Sequence, residues 1–82
     1  MITPAQSRSA RALLDWSREQ LAEQSEVALR TIVDFERGAR EPRKITLLAL
    51  KSALERSGIE FINTPEREGV VRLRKTDSGN LW

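Results

Sequence analysis

The sequence predicts a mainly α domain: four short helices over residues 1–58, then a short β-hairpin over 59–75 and a polar tail over 76–82. Three observations carry this expectation. Apolar side chains recur at the i, i+3, i+4 spacing of amphipathic helices, with capping residues before them, as far as Gly58. Beyond Gly58 the pattern turns β-branched and alternating. A chain of 82 residues with 39% hydrophobic and 32% charged side chains suits one small globule, neither disordered nor built around a bilayer span.

The first helix is expected to open at Pro4, with Thr3 as cap, and to run to about Asp15, with Ala10, Leu13 and Leu14 on one stripe. Ser17 and Gln20 form a capping box, with Trp16 and Leu21 placed as a hydrophobic staple, so the second helix starts at Arg18. It carries Leu21 and Ala22 inward and ends in Gln24-Ser25-Glu26. The third runs roughly from Ala28 to Arg37, buries Ile32 and Phe35, and stops at Gly38, where a left-handed cap is wanted. Pro42 holds Glu41 out of helical angles, so the fourth begins after it. Leu47, Leu50 and Leu54 give that helix its stripe, backed by Ile45, Leu48 and Ala53, and Gly58 ends it.

Composition removes several kinds of chemistry. The chain has no Cys, His or Tyr, so disulfides, Cys/His zinc sites, thiol nucleophiles and imidazole bases are excluded. No phosphate-cradling glycine loop and no framed pair of acids stands in their place, and an enzyme is not expected, nor a cofactor or a metal. The formal net charge is only +2, and without those titrating groups it changes little between about pH 5 and 10. A nucleic-acid partner must therefore be argued from where the charges sit. The longest apolar run, Leu47 to Leu50, is too short for a bilayer or a signal-peptide core, and a cytoplasmic protein is expected.

Leu21, Ala22, Val27, Ile32 and Phe35 fall at the offsets that pack two short helices across a tight turn. A small residue at Ala22 lets the two axes approach closely. The stretch from Arg11 through Leu14, Trp16, Ser17-Arg18-Glu19-Gln20-Leu21-Ala22, Val27, Thr31-Ile32, Phe35-Glu36-Arg37-Gly38, Arg40, Pro42 and Thr46-Leu47 to Ala53-Leu54 resembles the Cro and phage-repressor-like helix-turn-helix regulators, often called XRE-like. The resemblance covers about half the chain.

It implies a compact four-helix, lambda-repressor-like DNA-binding domain whose third helix enters the major groove of double-stranded DNA. Leu29, Arg30, Val33 and Asp34 are then the base-reading candidates. Arg30 is suited to guanine O6 and N7, and Asp34, four residues on, to holding Arg30 or accepting from a cytosine amino group. Ala28 and Val33 are close enough for contact with thymine methyls. The phosphate-binding candidates are Ser17, Arg18 and Ala28 at helix starts, and Arg40, Arg43 and Lys44 after the third helix. Arg11 and Glu36 match a pair that bridges the first and third helices in relatives. Three positions depart from the family pattern. Glu26 replaces a turn glycine and is expected to take a left-handed conformation at about 1 kcal/mol; Arg18 replaces a glutamine; Ala28 replaces a Ser or Thr cap, leaving the third helix without a side-chain cap.

After Gly58, Ile59 to Ile62 and Val70 to Arg74 read as two strands, with Val71 and Leu73 on one face and Arg72 and Arg74 on the other. A lone hairpin is marginal in water, so it either packs on its own helices or pairs with another chain. A homodimer reading a palindromic operator is the expectation. The alternative function is an antitoxin that autoregulates through the same helices and holds a toxin protein with its C-terminal segment.

Overall fold

The computed structural model describes residues 1–74, and the expected polar tail over 76–82 lies outside the described residues. Four helices, α1 (Pro4–Leu14), α2 (Arg18–Ser25), α3 (Leu29–Glu36) and α4 (Lys44–Arg56), precede two antiparallel strands, β1 (Ile59–Asn63) and β2 (Glu68–Arg72).

Local chemistry sets the helix boundaries. Thr3 and Ser17 each accept a hydrogen bond from the backbone N–H three residues on, and Gln6 and Gln20 reach back to complete capping boxes. α2 ends on Glu26, which is left-handed at φ 61°. α3 starts at Ala28 with no side-chain cap. Past α3, Gly38 takes φ 74°, a conformation available to glycine without Cβ strain. Gly58, at φ 99°, turns the chain from α4 into β1; its carbonyl accepts from Leu73 N–H at 2.7 Å.

The core joins all four helices to β1. Ala10, Leu21, Ile32, Phe35, Leu47, Leu50, Ala53, Leu54 and Ile59 are buried, with Ile2 closing one end and Trp16, Ala22, Val27, Phe61 and Val70 packed around them. Ile45 and Leu48, expected to back the α4 stripe, are exposed instead, Ile45 to 73%. At 100° per residue they point away from the buried face carrying Leu47, Leu50 and Leu54, by which α4 packs into the core. Leu13 is likewise exposed, and the inward side of α1 carries Gln6, Ser7 and Ala10, with Leu14 partly buried against the core as expected.

The second strand also departs from expectation. Thr64 and Arg67 close a tight turn through reciprocal backbone hydrogen bonds at 2.8 and 3.3 Å, which pairs Asn63 with Glu68 and Phe61 with Val70. β2 therefore begins two residues before Val70, and its faces are reversed. Val70 lies beside Phe61 against the helices, while Val71 and Leu73 are exposed. Strand side chains alternate with period two, so the register fixed by the turn decides which set faces inward.

Gln6 anchors the hairpin. Its buried side chain donates to the carbonyls of Ile62 at 3.0 Å and Gly69 at 2.9 Å, and its Oε1 accepts from Asn63 Nδ2 at 3.1 Å. Thr3 Oγ1 donates to Glu68, and Arg72 Nη1 donates to the Leu13 carbonyl at 2.9 Å. The hairpin finds its support on its own helices, so its marginality alone does not call for a second copy.

Candidate nucleic-acid interface

α3 is divided by burial into two sides. Ile32 and Phe35 are in the core and Glu36 is sealed beneath α1 and α2, whereas Ala28, Leu29 and Arg30 at its leading end are exposed and Val33 and Asp34 are half-buried. A helix anchored at positions 32, 35 and 36 turns 30, 33 and 34 the other way, whereas Leu29, seven residues before Glu36, falls on the anchored stripe and is exposed to 39% at the first helical position. Arg30, Val33 and Asp34 thus share one outward side, and Leu29 is exposed at the helix start.

Arg30 extends 83% of its side chain into solvent, with Nε 3.4 Å from Asp34 Oδ2. Asp34 also faces Arg37, whose Nη2 lies 3.6 Å from Oδ1. Arg37 is absent from the sequence-based candidates, although its i+3 spacing from Asp34 is the signal that would have found it. Such exposed pairs contribute about 0–1 kcal/mol, so the guanidiniums can exchange the carboxylate for another acceptor at little cost.

The phosphate candidates are in three places. Arg40 lines a small cleft with Pro42, Arg30, Thr31 and Asp34, which brings it to the α3 surface. Arg43 holds the N-cap position of α4 without a side-chain cap bond, and Lys44 begins the helix. All three basic side chains are exposed and make no ion pair among the described residues. Ala28 sits exposed at the head of α3. Ser17 is exposed too, but its N–H donates to Gln20 at 2.8 Å and its Oγ accepts from Gln20 N–H at 3.1 Å, so its backbone donor is already committed.

Arg18 differs from the others. Its Nε donates to Glu36 Oε1 at 3.2 Å, a link the sequence did not suggest, and 40% of its side chain remains exposed. Glu36 is the centre of a buried network. Arg11 Nη2 reaches Oε1 at 2.7 Å and Arg11 Nε reaches Oε2 at 2.9 Å; Ser7 Oγ donates to Oε2 at 2.6 Å; Arg8 Nη1 donates to the Glu36 carbonyl. Burial by itself pushes the Glu36 carboxyl up. The hydrogen bonds from Arg11 and Ser7, the charge of Arg11 and the hydrogen bond from Arg18 outweigh it and hold the group below its ordinary value. The network ties α1, α2 and α3 into the frame that presents the outward side of α3.

Among the described residues no group of His, Cys, Asp and Glu is placed to hold a metal ion, and no helix is long and apolar enough to cross a membrane. A family model described as helix-turn-helix matches residues 8–61, about two thirds of the chain. No curated protein matches the chain.

Proposed function

The chain belongs to the XRE/Cro-like helix-turn-helix family of DNA-binding regulators, and on that premise we propose that it is a cytoplasmic transcriptional regulator that reads a palindromic operator as a homodimer, with α3 in the major groove. The observation that carries this reading is the exposed leading end of α3, where Arg30 projects while Ile32, Phe35 and Glu36 hold the helix from behind. Leu29, Arg30, Val33 and Asp34 are the proposed base readers. Ser17, Arg18, Ala28, Arg40, Arg43 and Lys44 are the proposed phosphate contacts.

Selection of bound sequences from a random duplex pool tests it directly. Recovery of a palindrome, with Arg30→Ala relaxing preference at one base pair and Arg43→Ala weakening all sequences alike with a flatter salt dependence, supports the assignment. Equal losses for Arg30→Ala on selected and random DNA remove it from the readers.

The dimer reading draws on the hairpin. β2 is paired on one side only, leaving the far edge free of any strand among the described residues. In an antiparallel self-pairing about Val70, Glu68 of each copy would stand opposite Arg72 of the other, so the edge is complementary to itself in charge. Monomeric mass in light scattering at micromolar concentration, with operator DNA and without, removes the dimer. A protein that copurifies with the full chain and is lost when residues 59–82 are deleted would assign the hairpin to a toxin instead.

A further inference from the structure

We propose that buried Glu36 acts as a positioning residue for Arg18, fixing the guanidinium so that its two terminal nitrogens are presented to a DNA phosphate before the DNA arrives. The proposal rests on the reading of Arg18 as a phosphate contact and adds how that contact is made.

The two arginines on Glu36 are used differently. Arg11 commits Nε and Nη2 to the carboxylate and Nη1 to the Trp16 carbonyl at 3.1 Å, and its side chain is 15% exposed. It is a strut, with all three nitrogens engaged inside the protein and little of the side chain left at the surface. Arg18 commits Nε alone, and its terminal nitrogens have no hydrogen-bond partner among the described residues. Because the guanidinium is a rigid planar fork, fixing the direction of Nε–H also fixes where the other donors point.

The anchor cannot move to follow Arg18. The Glu36 side chain is fully buried, Ser7 holds Oε2, and Arg11 spans both oxygens. Two guanidiniums share one carboxylate, so the cluster keeps a positive excess that an anion can neutralise. Lysine cannot reproduce this arrangement. Its single nitrogen is drawn to the buried carboxylate or released to the phosphate, whereas arginine serves both with separate atoms.

The test compares the full chain with Arg18→Ala and Arg18→Lys for binding to a mixed-sequence DNA duplex across a salt series, with thermal unfolding as the control for folding. Arg18→Ala is expected to flatten the slope of log affinity against log salt by about 0.9, one phosphate contact. Arg18→Lys is expected to flatten it nearly as much and to lose affinity several-fold, despite keeping the charge. A lysine variant with the original slope and affinity overturns the proposal while leaving DNA binding intact. An alanine variant with the original slope removes Arg18 from the contacts and the proposal with it. If the unaltered chain binds no duplex at low salt, the DNA-binding reading falls as well. A second readout needs no substitution: the Arg18 Nε–H resonance is expected to be protected from solvent exchange in the DNA-free protein, and rapid exchange overturns the positioning role.

Discussion

Arg11 and Glu36, on the first and third helices, meet through two parallel hydrogen bonds of 2.7 and 2.9 Å, and the carboxylate they share with Ser7 is fully buried. A bidentate pair of this kind fixes the angle between the helices as well as their separation. The surface carried by α3 is therefore set from the side opposite the one offered to solvent.

Truncating one partner leaves the other charge buried with fewer partners. Arg11→Ala is expected to cost about 3–5 kcal/mol, against about 0–1 for Arg30→Ala at the exposed pair with Asp34. Chemical denaturation of the two variants side by side checks the contrast, and equal small losses would show that the buried pair is dispensable.

Acid should act through the same group. The Glu36 carboxyl is held below its ordinary value of 4.5, so the folded state binds that proton less readily than the unfolded chain. Its contribution is complete above the unfolded value and is lost as the pH falls through the lower, folded one. Stability measured across the acid range is expected to decline there, and Glu36→Gln is expected to flatten that part of the profile. An unchanged profile in the variant would place the acid sensitivity elsewhere.

Gln6→Leu removes the donor that spans Ile62 and Gly69 and the acceptor for Asn63. A loss of about 1–3 kcal/mol is expected, with faster amide exchange in β1 and β2 and little change in α2 and α3. Hairpin amides that stay equally protected would assign the docking to Val70 and Phe61 packing alone.

Glu26 holds a left-handed conformation at φ 61°, with its N–H donating to the Ala22 carbonyl at 2.8 Å. Glu26→Gly relieves the Cβ strain and is expected to stabilise the chain by about 1 kcal/mol, read as a rise in the unfolding midpoint. A fall would mean that the glutamate side chain contributes more than the strain costs.

The four helices, the Ser17 and Gln20 box, the strained turn at Glu26, the uncapped start at Ala28 and the Arg11–Glu36 pairing were all legible in the sequence. The helices and the capping box rest on relations spanning only a few residues, where spacing and capping chemistry leave direct marks; the readings of Glu26, Ala28 and the Arg11–Glu36 pair came from family resemblance. The outward grouping of Arg30, Val33 and Asp34 follows from helical period once the buried residues are known, whereas the exposure of Leu29 comes from its place at the start of α3.

Tertiary structure alone decided which polar groups turned inward and what they met. Nothing near Gln6 in sequence names the carbonyls it holds, which a strand 56 residues away supplies, and Arg18, expected as a phosphate contact, also meets Glu36 from α3. The inward face of β2 was likewise set by the turn at Thr64 to Arg67, one residue of register being enough to exchange Val70 for Val71. Local pattern specifies an element and its apolar stripe. The partner of a polar side chain is supplied by chain segments distant in sequence, and only folding brings them together.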